Sequence, residues 1–466
     1  MITQMIFDWA KQTPNRTAVI YNDQRWSYRS FAQFIALSRG YFARRGYIGP
    51  GYAVLALHNL MDFWVLSLAL RSLGLTTLAV PSVAEVARVG LPNVRCVITS
   101  PGETWAGLDG LCTELGLPLL SLSLASEPAL AFEVSEAPHP VGGHILRTSG
   151  TTGIYKMVLM SPAFDAVLLR RRAELFGMNK DTVFCVFDFP PWTGAGYKWA
   201  ASPWSVGGAN LIEQGRERDQ ALLHPGITHA VLTPGMLVAV LAAPAGAFPR
   251  NDTMQLAVSG GAMTRMQVDQ AKARITPRLF NDLGCTEAGT IAFTSLDTPE
   301  DQRWHRLVPS RVVEIVDESD HPVPTGETGR LRVGTDGGPT SYLNDETATR
   351  AFFKNGFFYP GDLAVMRSDG RPPDKLMPGM RLAKPIMNKG GMVLLGEGTE
   401  LTETWIMRIQ DMELEEQVYV EGKQEMEVPL DEMLAALETR FRTPEESHRM
   451  EIIKRAAERH IRSLYE

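Results

Sequence analysis

The sequence Arg147-Thr148-Ser149-Gly150-Thr151-Thr152-Gly153-Ile154-Tyr155-Lys156 is rich in glycine and hydroxyl side chains and lies between two apolar runs. Glycine lets backbone N–H groups approach a phosphate closely and adopts the positive φ angles that an anion-binding nest requires. The hydroxyls and the ammonium group of Lys156 add further donors. The G-x-x-x-x-G-K-[ST] spacing of the common P-loop is absent, so the usual kinase or GTPase inference does not apply. The stretch therefore predicts a nucleotide-phosphate loop of another type.

The order T-S-G-T-T-G-x-x-K resembles the phosphate loop of the AMP-forming adenylating enzymes, which include acyl- and aryl-CoA ligases, peptide-synthetase adenylation domains and luciferases. Other segments of residues 1–370 resemble further motifs of that family, in the same order. They are 256–262, the floor of the adenylate site; 281–287, similar to N-x-Y-G-x-T-E; 326–331 with 341–344, similar to G-E-x-G-x-L and G-Y-x-N; and 359–362, similar to Y-x-T-G-D. Any one of these segments alone is typical of an ordinary turn or helix cap. Together and in order they make the resemblance specific.

The resemblance implies a role for each matching residue. The β,γ-phosphates of ATP would be held by Thr148, Ser149, Gly150, Thr151, Thr152, Gly153 and Lys156. Thr286 would contact the α-phosphate, Glu287 would hold Mg²⁺, and Lys156, Thr286 and Glu287 would be the catalytic set. Asn281 would meet the adenine amino group and Asp362 both ribose hydroxyls, with Gly260, Gly261 and Gly284 beside the nucleotide. Trp192, Leu283 and Cys285 would line the pocket of the acid.

The implied reaction is the activation of a carboxylic acid, acyl or aryl, by ATP. The carboxylate attacks the α-phosphate, pyrophosphate leaves, and the acyl-adenylate is captured by a thiol of CoA or of a phosphopantetheine carrier protein. Three positions depart from the family pattern: Tyr155 replaces proline, Met157 replaces a glycine, and Leu283 replaces an aromatic residue. Loss of the ring at 283 is expected to cost about 1 kcal/mol of stacking on adenine.

Composition excludes several other classes of function. The chain has 466 residues, 44% hydrophobic and 21% charged, with a net charge of -7, so neither nucleic acid nor an anionic membrane surface is an expected partner. The apolar run 63–80 is interrupted by Arg71 and Gly74 and is expected to be a buried helix and strand, with no membrane insertion. Four cysteines without metal-ligand spacing, and no signal peptide, favour the cytoplasm.

Short apolar strands alternate with helix-period segments, which predicts an α/β fold with parallel sheets, and 311–334 predicts a smaller β-rich subdomain. Residues 1–370 are therefore expected to form the adenylation core. A linker follows at 371–379, where Pro372 and Pro373 lie, and a small α+β module at 380–466. Nine of the 20 methionines fall in the last 96 residues, which marks a break in composition.

The module replaces the lid domain that ends the resembling enzymes. The lid's hinge and its P-x-x-x-x-G-K-x-x-R lysine motif are absent, and 379–402 resembles the small domain preceding bacterial HD-type phosphodiesterases, although no His-Asp dipeptide occurs. A hairpin of 380–386 with 392–395, a strand at 418–420 and helices at 402–412, 430–441 and 445–464 are predicted. The hypothesis is a fusion, natural or engineered, that leaves the adenylating chemistry impaired.

Two other functions stay open at this point. The core could bind ATP or AMP as a regulatory ligand, with the module as a relay or a protein-docking unit. It could also activate an amino acid, in which case Asp188 is the candidate for holding the α-amine, although it lies early in its predicted helix.

Overall fold

The computed structural model describes residues 2–122, 141–148, 155–215, 218–308, 311–335 and 337–367, and then 381–382, 386–387, 393–402, 405 and 420–421. The chain divides into two compact units, Met1–Pro322 with Arg330–Leu363, and Val323–Gly329 with Ala364–Glu466. The domain boundary that the sequence analysis places at 370 stays a prediction. Among the described residues, no helix is both long enough and apolar enough to span a membrane.

The helices and strands follow in chain order. The helices are α1 (Ile2–Gln12), α2 (Tyr28–Arg44), α3 (Leu60–Ser72), α4 (Val83–Ala87), α5 (Leu108–Glu114), α6 (Pro162–Leu175), α7 (Gly194–Ala201), α8 (Arg218–Ala221), α9 (Pro234–Leu241), α10 (Arg265–Arg274) and α11 (Glu346–Phe352). Strands β1 to β12 are Thr17–Tyr21, Gln24–Ser27, Tyr52–Leu55, Thr76–Ala79, Val94–Thr99, Leu119–Ser121, His144–Thr148, Lys156–Met160, Val183–Cys185, Ala209–Ile212, His229–Leu232 and Gln255–Ser259. Strands β13 to β23 are Leu279–Cys285, Gly289–Ser295, Val313–Val316, Thr328–Gly334, Phe353–Lys354, Phe357–Phe358, Leu363–Val365, Arg381–Leu382, Ile386–Met387, Val393–Leu395 and Val420–Glu421.

Two larger sheets form the core of the first unit. One has six strands in the order β6-β5-β3-β4-β7-β8, and the other has eight in the order β14-β13-β12-β11-β9-β10-β1-β2. The pairs β3–β4, β9–β10, β11–β12 and β12–β13 are parallel, whereas β1–β2, β7–β8 and β13–β14 are antiparallel. Apolar runs with helices between them produce such covered parallel sheets. The predicted α/β core is confirmed.

Local sequence signals explain several element boundaries. Ser27 caps α2 by accepting the Ser30 N–H at 3.2 Å, and Asn59 caps α3 by accepting the Met61 N–H at 2.9 Å. Such caps satisfy backbone donors that the first helical turn leaves unpaired. The apolar run 63–80 folds as the end of α3, buried on all sides, followed by β4, as predicted.

In the second unit, β21 and β22 form an antiparallel pair, and β20 pairs antiparallel with β23. The predicted hairpin is confirmed where Ile386 pairs with Leu395, but it is wrong at the start of its first strand, because Arg381 and Leu382 pair with residues 420–421. Hydrophobic alternation indicates a strand but does not choose its partner. The predicted helices at 430–441 and 445–464 lie outside the described residues, as do most residues of the one at 402–412.

Candidate active site

The two ends of the predicted phosphate loop are fixed by a strand pair. Thr148 ends β7 and lies opposite Lys156, which begins β8, so the loop leaves and re-enters the sheet at one place. Ser149, Gly150, Thr151, Thr152 and Gly153 lie outside the described residues. Tyr155, where the family has proline, is exposed, and the Arg147 guanidinium lies 4.9 Å from its ring centre. The loop therefore starts and ends beside cationic side chains.

Lys156 and Glu287 both contact Tyr342. The Tyr342 hydroxyl donates to Glu287 Oε1 at 2.6 Å, and Lys156 Nζ lies 5.1 Å from the centre of the Tyr342 ring and 3.8 Å from that of Phe352. Burial and the neighbouring Glu287 raise the pKa of Tyr342, so its hydroxyl keeps its proton. We call Lys156, Glu287, Tyr342 and Phe352 the Tyr342 cluster. It gathers one cation and one carboxylate at the end of the phosphate loop.

The Tyr342 cluster is tied to the strand that carries Lys156. The backbone N–H of Leu343 donates to the carbonyl oxygen of Met157 at 2.9 Å, so the 342–344 segment extends the β8 edge. Met157, which replaces a glycine of the family pattern, is buried in the apolar core of the six-stranded sheet. The substitution therefore serves packing without breaking the strand.

Thr286 and Glu287 lie in the tight turn between β13 and β14. A Cβ on Gly284 would lie 2.5 Å from the Gly289 carbonyl oxygen. The two strands therefore approach too closely there to leave room for a side chain. Cys285 Sγ accepts the Ala288 N–H at 3.3 Å, and burial raises the pKa of its thiol to about 12. Cys285 therefore stays a neutral thiol that shapes the turn, and is no candidate nucleophile.

Helix α7 also packs against the turn between β13 and β14. A Cβ on Gly194 would lie 2.8 Å from Thr286 Oγ1, and Lys198 Nζ donates a hydrogen bond to the Thr286 carbonyl oxygen. Lys198 is 1% exposed, and burial, with Arg172 nearby, lowers its pKa to about 8. The carbonyl oxygen of Trp192 accepts the Arg147 N–H at 2.7 Å, which holds the start of α7 against β7.

The remaining predicted residues lie on β12, β13 and a surface turn. Gly260 follows β12 with a φ of +87° and open space around it, while a Cβ on Gly261 would lie 3.2 Å from Pro234 Cγ. Asn281 is buried within β13. Leu283 is half-buried on the same strand, next to a β-bulge. Asp362 is exposed and makes no described contact with the Tyr342 cluster.

The residues that join the predicted ones were not predicted from the sequence. Tyr342 lies in the segment similar to G-Y-x-N and carried that signal, but it received no role. Lys198 and Arg172 carried no sequence signal, because a single cation on a helix is most often a solvated surface charge. Tyr197, Trp199 and Trp204 are fully buried packing residues, whereas Trp192 is half-buried.

Residues 144–343 match a family model described as AMP-binding enzyme. The salicylyl-CoA synthase / salicylate adenylyltransferase of a Streptomyces species is 24% identical over 85% of this chain and 77% of its own length. A plipastatin synthase of Bacillus subtilis is 24% identical over 77% of this chain, which spans only 14% of that relative. A Streptomyces carzinostaticus 2-hydroxy-7-methoxy-5-methyl-1-naphthoate CoA ligase is 25% identical over 54% of this chain and 46% of the ligase.

Solved structures share the fold. O-succinylbenzoate coenzyme A synthetase from Bacillus subtilis, in complex with AMP, superposes with a TM-score of 0.66 at 18% identity, over 78% of this chain and 76% of the synthetase. The N-terminal subdomain of Klebsiella oxytoca NpsA, with 3-hydroxybenzoyl-AMSN, gives 0.61 at 17% identity, over 79% of this chain and 97% of the subdomain.

These matches indicate the class of protein. Residues 144–343 match the AMP-binding enzyme model, as the motifs predict, and the chain has the α/β core fold of the solved adenylate-forming structures. The predicted class of enzyme, an AMP-forming ligase, is supported by relatives that are CoA ligases and synthetases.

Proposed function

We propose that this chain uses ATP to convert a carboxylic acid to an acyl-adenylate, with release of pyrophosphate, for transfer to the thiol of CoA or a carrier protein. One observation carries the proposal most directly. Lys156 and Glu287, which the motifs assign to the phosphates and to Mg²⁺, share Tyr342 at the end of the phosphate loop.

The residues of the Tyr342 cluster suit these two tasks. Lys156 makes cation–π contacts with two rings and forms no described ion pair, so its ammonium can bind phosphate oxygens. Among the described residues there is no group of three or more metal-binding side chains. Mg²⁺ needs no such group, because it binds through one or two carboxylates and keeps water and phosphate oxygens as its other ligands. Glu287 fits that requirement.

The Tyr342 cluster and its neighbours would act on the reaction through charge and positioning. Mg²⁺, when bound through Glu287, would neutralise part of the phosphate charge. Tyr342 orients the Glu287 carboxylate by donating to Oε1 at 2.6 Å, and Lys198 holds the Thr286 carbonyl from behind the turn. Thr286 is thereby held where the α-phosphate is proposed to lie, so the protein contributes mainly positioning and electrostatic stabilisation.

The acid and its acceptor are proposed as classes. The named relatives act on salicylate and on a hydroxynaphthoate, so an aryl acid is our first candidate. A relative named as a polyketide synthase-nonribosomal peptide synthetase leaves a carrier-protein acceptor and an amino acid as alternatives. Four free cysteines agree with the proposed reducing cytoplasm.

We propose that residues 371–466, which lack the motifs of the family's lid, do not supply its catalytic group. In the resembling family a lid lysine bridges the carboxylate and the α-phosphate, and losing a group of that kind costs roughly 10²–10³ in rate. Lys384, Lys389 and Lys423 of the C-terminal module follow no motif that would direct them to the α-phosphate. We expect slow adenylation and little thioester formation by this chain.

Product analysis tests the proposal. The whole chain is incubated with ATP, Mg²⁺ and panels of aryl, acyl and amino acids, and acyl-adenylate and thioester are quantified by mass spectrometry. The proposal expects adenylate from an aryl or acyl acid, with thioester rising when a lid domain is fused to the chain. Full thioester turnover without the added lid would show that the module acts as one. Nucleotide binding without adenylate from any acid would favour the regulatory alternative.

A further inference from the structure

The Arg147 side chain joins the two ends of the phosphate loop. Arg147 precedes Thr148 on β7, and its guanidinium carbon lies 4.9 Å from the centre of the Tyr155 ring. Tyr155 is the residue before Lys156, where β8 begins. A guanidinium and an aromatic ring attract one another at that distance. The ends of the loop are therefore connected by a side-chain contact as well as by the pairing of Thr148 with Lys156.

Glu85 of α4 holds the Arg147 guanidinium in place. Arg147 Nη2 donates to Glu85 Oε2, and Arg88 Nη1 donates to the other carboxylate oxygen, Oε1, at 2.9 Å. Burial acts to raise the pKa of Glu85, but the hydrogen bonds from the two arginines outweigh it and lower that pKa, so the carboxylate stays charged at neutral pH. Val86 of the same helix is buried in the apolar cluster that contains Met157. Glu85 therefore stands on a fixed support.

The strand register indicates how Arg147 can act. Arg147 lies opposite Met157 in the β7–β8 pair, and the next residue, Thr148, lies opposite Lys156. Successive side chains of a strand point to opposite faces, so Arg147 and Lys156 lie on opposite faces of this pair. The phosphates are proposed to lie with Lys156. Arg147 would therefore act on them through the loop and not by direct contact.

Packing alone does not explain an arginine at this position. The Arg147 side chain is buried, yet its Nε and Nη1 have no hydrogen-bond partner among the described residues. A buried guanidinium with unmet donors costs free energy that an apolar side chain would avoid. The contact with the end of the loop is the better reason for its presence.

We propose that Arg147, held by Glu85, is a positioning residue that fixes the two ends of the phosphate loop for binding of the β,γ-phosphates of ATP. The inference rests on the proposed function, in which this loop holds those phosphates. Tyr155 replaces a proline of the family pattern, so the contact between Arg147 and an aromatic ring is a property of this chain.

A comparison of Mg²⁺·ATP with AMP tests the role of Arg147, because AMP lacks the two phosphates that the loop is proposed to hold. In calorimetry on the whole chain, Arg147→Met should weaken Mg²⁺·ATP binding about 5- to 10-fold and leave AMP affinity unchanged. Glu85→Gln should cause a smaller loss with the same selectivity. The matched control is Arg88→Met, which removes the exposed cation that also pairs with Glu85 and should change neither affinity.

A second variant tests whether Arg147 acts through Tyr155. Tyr155→Ser, at an exposed position, should also weaken Mg²⁺·ATP binding selectively, about two- to fivefold. Its combination with Arg147→Met should lose no more affinity than Arg147→Met alone, because both changes break the same contact. A double variant whose loss is the product of the two single losses would contradict action through Tyr155.

Equal losses of ATP and AMP affinity in Arg147→Met, or an unchanged ATP affinity, would overturn the inference. Circular dichroism checks that Arg147→Met is folded. Where it is not, Tyr155→Ser carries the same expectation and the same refutation. Failure of the proposed function looks different, because the selective loss of ATP affinity would then persist while no acid yields an adenylate.

Discussion

The first unit contains two clusters in which a tyrosine joins a cation to a carboxylate, and they differ in what they leave open. In the Tyr342 cluster, Lys156 contacts the ring and Glu287 accepts the hydroxyl, but the two charges do not pair. In the second, Tyr197 donates to Asp165 Oδ2 at 2.6 Å, and Arg71 pairs with the same oxygen at 3.0 Å. We call Arg71, Asp165, Tyr197 and the stacked His144 the Tyr197 cluster.

The difference separates structural from functional polar groups. Arg71 and Asp165 are each 1% exposed and neutralise one another, so the charges of the Tyr197 cluster are balanced as folded, although Asp165 Oδ1 has no hydrogen-bond partner among the described residues. Lys156 and Glu287 do not pair with one another, so both can contact a third partner. A buried, paired network specifies packing, whereas unpaired opposite charges beside a phosphate loop indicate a ligand site.

The largest expected effect is on the stability of the Tyr197 cluster. Arg71→Met removes the cation that pairs with Asp165 and also donates to the Gly142 carbonyl oxygen at 3.2 Å. An uncompensated buried carboxylate remains, so the free energy of unfolding should fall by about 3–5 kcal/mol. Urea unfolding measures it, with Arg170→Met as an exposed control expected to change it by about 0.5 kcal/mol or less. A small loss of unfolding free energy in Arg71→Met would mean that Arg71 and Asp165 do not depend on one another for neutralisation in the Tyr197 cluster.

The second expectation concerns acid. His144 bonds Thr77 Oγ1 at 2.8 Å, and burial, aided by Arg71, lowers its pKa from 6.5 to about 3. Between these values the unfolded chain binds a proton that the folded chain does not, so stability is complete above pH 6.5 and is lost as pH falls. The loss is roughly 1.4 kcal/mol per pH unit, or about 3 kcal/mol at pH 4.

His144→Gln should remove this contribution. Its stability should decline less steeply than that of the wild-type chain between pH 6.5 and pH 4, whatever its stability at neutral pH. Unfolding titrations at matched pH values measure the two slopes. Parallel slopes would show that His144 is not held neutral in the fold.

The third expectation concerns the Tyr342 cluster, in which the two charges do not pair. Lys156→Met and Glu287→Gln should each weaken Mg²⁺·ATP binding about 10- to 100-fold, since each removes a charge from a site built on charge-assisted contacts. Each should change the free energy of unfolding by less than about 1 kcal/mol. Lys354→Met is the matched control, because Lys354 lies 5.4 Å from the centre of the Tyr359 ring and has no predicted nucleotide role. Unchanged calorimetric affinity in both test variants would remove the phosphate and metal assignments.

The smallest expected effect is that of the connecting hydroxyl. Tyr342→Phe keeps the ring against Lys156 but frees the Glu287 carboxylate, so Mg²⁺·ATP affinity should fall about fivefold, on the scale of one hydrogen bond. Affinity for ATP without Mg²⁺ should not change. An equal loss with and without the metal would indicate that Tyr342 acts on the phosphates and not through Glu287.

The α/β fold could be predicted from the sequence, whereas the roles of the site residues stay predictions. The alternation of short apolar strands with helices, and the position of the 147–156 loop between two apolar runs that form β7 and β8, follow from local patterns that the chain encodes within a few residues. The antiparallel β13–β14 hairpin was not predicted, because the close approach of its two strands depends on the contact between Gly284 and Gly289.

The links between the motifs could not be predicted in the same way. Tyr342 and Glu287 are 55 residues apart, and Lys198 and Thr286 are 88 apart, so their contacts depend on how the sheets and α7 pack. The burial of Arg172 is likewise a property of the folded α6 and β14. Sequence patterns identify which groups a loop carries, but not which distant charges face them.

Acid-dependent exchange of labelled pyrophosphate into ATP tests whether this site activates carboxylic acids, because only reversible formation of an acyl-adenylate produces it. We predict exchange by the whole chain with at least one aryl or acyl acid, above the blank without acid, and its loss in Lys156→Met. Exchange indistinguishable from the blank with every acid, in a chain that binds Mg²⁺·ATP, would contradict the claim that this site activates carboxylic acids.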